Sequence, residues 1–152
     1  MANERGSSSP SPALTVTRKV DFTAEQVFDA WLDPKSAGKW LFATPTGEMV
    51  RVEIDARVGG RYTFVDRRNG VDVEHIGEYL EINRPRRLVF TLAVPKYSTL
   101  YTTVSIEIVP QGTGSQLTLT HQGVLPEWRE ATQAGWTGIL DRLDQEMTTI
   151  TM

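Results

Sequence analysis

Residues 126–150 read PEWREATQAGWTGILDRLDQEMTTI, the segment with the clearest helical pattern in the chain. Its mostly apolar positions recur at steps of three and four residues, the spacing of one helix face; they are Trp128, Thr132, Trp136, Ile139, Leu143, Met147 and Ile150. The pattern predicts an amphipathic helix of about 20 residues that begins at Pro126. Gly135 and Gly138 each destabilise such a helix by about 1 kcal/mol relative to alanine. Either close packing against a sheet or space for a ligand would offset that cost.

The segment before this helix, residues 48–124, is predicted to be a sheet. Six runs rich in β-branched and aromatic residues alternate with turn signals; they are Met49–Ile54, Tyr62–Val65, Val71–Ile82, Leu88–Val94, Thr99–Val109 and Gln116–Gln122. Asn69-Gly70 is the strongest turn signal, because both central residues of a type I′ turn need a positive φ. Consecutive strands with short turns pair antiparallel, since parallel pairing requires long crossovers. The sequence therefore predicts an antiparallel meander.

Upstream of the meander the sequence predicts one further strand and two short helices. Leu14–Val20 forms the strand, and Thr23 with Gln26 has the form of a capping box at a helix start. Asp33-Pro34 ends that helix and begins a second one, which runs to about Trp40. The predicted class is α+β, a curved antiparallel sheet of about seven strands wrapped around the long C-terminal helix.

Length and composition restrict the class of function. The chain has 152 residues and a net charge of −3, which fits one soluble domain and offers no basic surface for nucleic acid. Cysteine is absent, which excludes disulfides and thiolate sites and fits a reducing compartment. No apolar run is long enough for membrane insertion. We expect a cytoplasmic protein with a disordered Ser/Pro-rich leader, residues 1–12, and a single domain, residues 13–152.

The sequence also carries a series of short motifs in a characteristic order. They are Ala30-Trp31-Leu32-Asp33-Pro34 with Trp40, Arg57-Val58-Gly59-Gly60, Gly77-Glu78-Tyr79-Leu80-Glu81-Ile82 before Arg84-Pro85, Leu88-Val89-Phe90-Thr91, Leu117-Thr118-Leu119-Thr120-His121, and Gly135-Trp136 with Leu140 and Leu143. In this order they resemble the activator of heat-shock-protein-90 ATPase homologue-like family. The resemblance extends over about residues 14–147, nearly the whole chain.

This resemblance implies the helix-grip fold of the SRPBCC superfamily, with a cavity between the sheet and the C-terminal helix. It also implies a relationship to birch-pollen-allergen-like, lipid-transfer (START) and polyketide-cyclase proteins, and no single activity. A chaperone partner follows from the family's name, but a second domain of the kind that the eukaryotic co-chaperone uses is not expected here. A homodimer is compatible with the family, and no residue decides it. No cofactor is expected.

The two histidines are the main candidates for acid/base chemistry. His121 shares the phase of Leu117 and Leu119, so it is predicted to face the apolar interior and is the candidate catalytic residue. The facing of His75 is ambiguous, because both phases of its strand carry apolar residues, and Gly77 is a candidate bulge where they exchange. A hydrogen-bonded structural role is the alternative for both histidines. Two histidines on different strands do not make a zinc site, so no metal is expected.

Aromatic residues on nearly every element are candidates to line a cavity with a few polar groups. The predicted ligand-binding residues are Trp31, Trp40, Phe42, Tyr62, Phe64, His75, Tyr79, Phe90, Tyr101, His121, Trp136 and Ile139. Core packing is the alternative for at least half of the aromatic ones. Five arginines fall at hairpin ends: Arg67, Arg68, Arg84, Arg86 and Arg87. We interpret them as solvated turn residues. Contact with an anionic ligand head or with a partner protein is the alternative.

Three functions are therefore open. The favoured one is binding of a small hydrophobic or amphipathic molecule, a lipid or an aromatic metabolite. The second is a polyketide cyclase/aromatase-like enzyme, which requires at least two polar groups converging inside the same cavity. The third is a chaperone-interacting module, which requires an exposed apolar patch and little internal volume. Few ionisable residues share the inward phase, which favours binding over catalysis and leaves catalysis open.

Overall fold

The computed structural model describes residues 13–151, and the predicted leader, residues 1–12, lies outside them. The helices of this part are α1, Ala24–Leu32; α2, Pro34–Trp40; and α3, Pro126–Thr151. Its strands are β1, Leu14–Val20; β2, Glu48–Ile54; β3, Arg61–Arg68; β4, Val71–Asn83; β5, Arg87–Leu92; β6, Thr102–Gln111; and β7, Gly114–Gln122. This order confirms the predicted α+β class.

The seven strands form one antiparallel sheet in the order β1-β7-β6-β5-β4-β3-β2. Strands β2 to β7 are a continuous meander, and β1 lies beside β7 with Leu14 opposite His121. Trp136 and Leu143 of α3 are buried in one core with strand residues such as Leu119. The predicted helix-grip arrangement, a sheet around a long C-terminal helix, is confirmed.

The local signals in the sequence form the structures that they predict. The Thr23 hydroxyl accepts the Gln26 backbone N–H at 3.2 Å, and the Thr23 backbone N–H donates to the Gln26 side chain at 3.0 Å. Asp33 caps α2 by accepting a backbone N–H at 3.1 Å. Asn69 and Gly70 have φ of 52° and 78°, as a type I′ turn requires. The turn pairs β3 with β4 without a register shift.

Strand β4 places His75 on the inner face of the sheet, which the sequence left ambiguous. His75 and Tyr79 are both buried there. The register shift of this strand lies between Tyr79 and Glu81, so the predicted bulge at Gly77 is wrong. A Cβ at position 77 would instead collide with the Thr91 carbonyl oxygen of β5. Gly77 is therefore explained by the close approach of two strands.

Two of the differences between predicted and observed strand boundaries shape the site. β5 ends at Leu92, two residues earlier than predicted, and β6 begins at Thr102, three residues later. Between them the Val94 carbonyl oxygen accepts two backbone N–H groups of its own turn, at 2.9 and 3.1 Å. Pro95 has no N–H to donate to a sheet ladder. Residues 94–101 therefore form a loop outside the sheet.

The long helix α3 contains 26 residues and begins at Pro126 as predicted. Neither of its glycines is closely packed. Among the described residues outside the helix, nothing lies within 4 Å of a Cβ built at Gly135 or Gly138. Close packing against the sheet, one of the two explanations that the sequence left open for these glycines, is therefore excluded.

Candidate functional site

A cavity of about 460 Å³ lies between α3, the inner face of the sheet and the loop of residues 94–101. Most of its lining is apolar and includes Phe42, Leu92, Val94, Leu100, Val124, Leu125, Trp136 and Ile139. At its exposed edge the rings of Tyr97 and Trp128 meet with centroids 6.4 Å apart. A volume of this size is within the range of small-molecule pockets, about 300–1,000 Å³.

His121 stands on the sheet side of the cavity and is hydrogen-bonded at both ring nitrogens. Trp136 Nε1 donates to His121 Nδ1 at 2.9 Å, so Nδ1 is an acceptor and the ring proton lies on Nε2. His121 Nε2 then donates to the Thr102 hydroxyl at 2.6 Å, and that hydroxyl donates to the Leu92 carbonyl oxygen at 3.2 Å. This order of donors makes His121 a neutral imidazole without a free lone pair.

The charge state of His121 agrees with its burial. Burial disfavours the imidazolium and lowers the pKa of His121 from 6.5 to about 4. Because Trp136 is on α3 and His121 is on β7, their hydrogen bond fastens the helix to the sheet inside the cavity. To act as a general base, His121 would first have to lose this bond.

His75 lines the same cavity from β4. Its ring stacks on Phe42, with centroids 4.5 Å apart and planes 15° apart. Burial and, secondarily, the positive charge of Arg68 lower the pKa of His75 from 6.5 to about 4. Its Nδ1 has no hydrogen-bond partner among the described residues. His75 is thus uncharged near neutral pH.

An ion pair between a buried carboxylate and a half-buried guanidinium borders the cavity at the end of β3. Asp66 is fully buried and accepts from Arg68 Nε and from the Thr44 hydroxyl, each at 2.8 Å. Arg68 lines the cavity and contacts the Phe42 carbonyl oxygen at 3.4 Å. Side chains alternate along a strand, so Arg68 turns inward where Arg67 is exposed. The interpretation of Arg68 as a solvated turn residue is therefore wrong.

Most of the other predicted ligand-binding residues pack in the core instead of lining this cavity. They are Trp31, Trp40, Tyr62, Phe64, Tyr79 and Phe90. Trp31 and Trp40 meet edge to face with centroids 4.7 Å apart, and the Tyr62 hydroxyl donates to the Thr91 carbonyl oxygen at 2.7 Å. A void of about 10 Å³ remains beside these rings, too small for a ligand. Tyr101 is 59% exposed and does not line the cavity.

The structure brings five of the twelve predicted residues to the cavity: Phe42, His75, His121, Trp136 and Ile139. The lining residues that the sequence analysis missed include Thr44, Leu92, Tyr97, Leu100, Thr102, Val124, Leu125, Trp128, Thr132 and Gly135. For three of them a signal was present, since Trp128, Thr132 and Gly135 lie one or two turns before Trp136 and Ile139 on α3. The loop of residues 94–101 offers no comparable pattern.

Two further observations concern the described part of the chain. None of its helices has the combination of length and apolar character that a membrane span requires. Within residues 13–151, no three histidine, aspartate or glutamate side chains lie close enough together to hold a metal ion.

Comparison with known proteins identifies the family. Residues 21–148 match the family described as "Activator of Hsp90 ATPase homolog 1-like protein". The chain belongs to this family. The match confirms the resemblance seen in the sequence motifs, and a cavity between the sheet and the last helix is a common ligand site of this fold. No curated protein matches the chain.

Solved structures with the family's fold come from several bacteria. Protein CV1439 from Chromobacterium violaceum is 26% identical, with a TM-score of 0.81 over 88% of this chain and 95% of that one. An AHSA1-like protein from Aeromonas hydrophila is 20% identical, with a TM-score of 0.81 over 91% and 94%. SA2116 from Staphylococcus aureus, a protein of unknown function, is 19% identical with the same TM-score and coverage. These likenesses establish the fold and leave the ligand open.

Proposed function

We propose that this protein binds a small hydrophobic or amphipathic molecule, a lipid or an aromatic metabolite, in the cavity beneath α3. The observation that carries the proposal is the cavity itself, about 460 Å³ with a mostly apolar lining. Such a volume accepts a small organic molecule and removes its apolar surface from water, at about 25 cal/mol per Å². The polar groups of the lining are few, which is the usual composition of a binding pocket.

The hydrogen bonds of His121 support binding over a cyclase-like reaction. A general acid or base needs a nitrogen that can exchange a proton with the bound molecule. Both ring nitrogens of His121 are engaged, one with Trp136 and the other with Thr102. The arrangement therefore favours a structural role for the candidate catalytic residue.

A group of exposed apolar side chains beside the cavity supports the same proposal over a chaperone-interacting module. Tyr97, Leu100, Leu125 and Trp128 are exposed, and all four line the cavity. Their exposure is explained if they form the entrance of the cavity. A chaperone-interacting module would need little internal volume, whereas this protein has a large cavity. Their position favours a route for a ligand between solvent and interior.

The test is to identify what the purified protein carries. The chain would be denatured, extracted into organic solvent and analysed by mass spectrometry beside a Gly135→Leu variant, which reduces the cavity volume. We expect an apolar species near one per chain in the wild type and its depletion in the variant. Equal amounts in both proteins would contradict binding in this cavity. If the wild-type extract is empty, titration with the fluorescent apolar probe N-phenyl-1-naphthylamine decides, and absence of binding would refute the proposal.

A further inference from the structure

One part of the cavity wall differs from the rest in charge. Among the described residues that line the cavity, Arg68 is the only one with a permanently charged side chain. Asp66 stands behind it, fully buried and outside the lining, and accepts from Arg68 Nε at 2.8 Å. The pair has no net charge, so the wall presents a guanidinium whose charge is already compensated.

The guanidinium retains donors that the protein does not use. It has five N–H groups and no acceptor. Nε donates to Asp66, and Nη2 contacts the Phe42 carbonyl oxygen at 3.4 Å. Nη1 has no hydrogen bond to any of the described residues. The nearby Thr44 hydroxyl is also occupied, since it donates to Asp66 at 2.8 Å. What Arg68 offers to a molecule in the cavity is therefore N–H donors.

We infer that the ligand carries a neutral acceptor oxygen, such as a ketone or quinone carbonyl, on an apolar body, and that Arg68 binds this oxygen. The inference rests on the proposed function and specifies its ligand class. A neutral acceptor satisfies the free donors of Arg68 without adding charge to the cavity. A carboxylate would place a second negative charge beside Asp66 on the same guanidinium, and like charges close together repel.

His75 extends the same polar region. It lines the cavity and stacks on Phe42, whose carbonyl oxygen Arg68 contacts. It is 6% exposed, and its burial keeps the ring uncharged near neutral pH, so His75 adds a polar side chain to this part of the wall and no net charge.

The test compares three naphthalenes of similar shape that differ in one end group. They are 2-acetylnaphthalene, a neutral carbonyl compound; 2-isopropylnaphthalene, a hydrocarbon; and 2-naphthoate, an anion. Each is titrated against bound N-phenyl-1-naphthylamine in the wild type and in Arg68→Met. We expect Arg68→Met to weaken binding of the ketone about tenfold, which corresponds to the loss of one hydrogen bond to a charged group. The affinity for the hydrocarbon should stay unchanged. Arg67→Met is the matched control, because Arg67 is exposed and pairs with Asp72 at 2.7 Å.

The possible results distinguish failure of this inference from failure of the proposed function. An unchanged ketone affinity in Arg68→Met, or tighter binding of naphthoate than of the ketone in the wild type, would overturn the inference while probe binding upholds the proposed function. Failure of the probe to bind the wild type would refute the proposed function and this inference with it. If Arg68→Met does not fold, Asp66→Asn/Arg68→Met replaces it, because this variant leaves no unpaired buried carboxylate.

Discussion

Replacing Gly135 with leucine tests whether the cavity, rather than helix packing, explains a glycine in the middle of α3. Gly135 lines the cavity, and Gly138 does not. Both have open space where a Cβ would stand. The two positions share a helix and a residue type and differ in what they face, so Gly138→Leu is the matched control.

The expected magnitudes follow from this geometry. Leucine in place of glycine stabilises a helix interior by about 0.5–1 kcal/mol, and we expect this gain at both positions because neither side chain meets an obstacle. At position 135 the four side-chain carbons occupy cavity volume. If they displace about four ligand carbons, each worth about 0.8 kcal/mol, binding loses about 3 kcal/mol, which is more than a hundredfold in Kd.

The assay is a fluorescence titration with N-phenyl-1-naphthylamine, accompanied by urea unfolding of each variant. We expect Gly135→Leu to be more stable than the wild type and to bind the probe at least a hundredfold more weakly, by the magnitude derived above. Gly138→Leu should gain similar stability and keep wild-type affinity. Equal affinity of the two leucine variants would refute the assignment of the cavity as the binding site.

The buried polar groups lead to three further expectations. Trp136→Phe removes the donor to His121 Nδ1, and we expect urea titration to show a loss of about 1–3 kcal/mol in unfolding free energy; an unchanged midpoint would contradict the donor order. His75 and His121, with pKa lowered to about 4 in the folded state, bind protons more readily once unfolded, so stability is highest above about pH 6.5 and falls toward pH 4. Urea titrations at pH 7 and 5 should differ on the order of 2 kcal/mol per histidine, and equal values would refute the uncharged state. Arg68→Met leaves Asp66 without its cation, and we expect a loss of about 3 kcal/mol that Asp66→Asn recovers in the double variant; a double variant no more stable than the single one would show that the charge pair is not the cause.

The fold could be predicted from the sequence because its signals are local. The Thr23 capping box, the Asp33-Pro34 helix junction and the Asn69-Gly70 turn each require only neighbouring residues, and each forms as predicted. The bulge predicted at Gly77, by contrast, does not form. The glycine at position 77 is explained by the Thr91 carbonyl oxygen on another strand, a contact that no local pattern reveals.

The site was less predictable because it depends on which apolar positions leave space between them. Trp31 and Phe90 have the same residue type and inward phase as cavity residues, yet they fill the core, with centroids 6.2 Å apart. Arg68 is recognisable in retrospect from its phase with Phe64, two strand periods away, but its position at a hairpin end favoured a solvated interpretation. The loop of residues 94–101 becomes a cavity wall only through tertiary packing.

Ligand binding beneath α3 can be tested with the four tryptophan indole N–H resonances as position markers. Trp128 and Trp136 line the cavity, whereas Trp40 is buried in the core and does not line it. Trp31 packs between these groups, with its ring centroid 4.7 Å from that of Trp40 and 6.5 Å from that of Trp136. In ¹H–¹⁵N spectra recorded during titration with N-phenyl-1-naphthylamine, we expect the resonances of Trp128 and Trp136 to shift most and that of Trp40 to stay in place. Shifts confined to Trp31 and Trp40, or no shifts at saturating probe, would contradict a ligand site beneath α3.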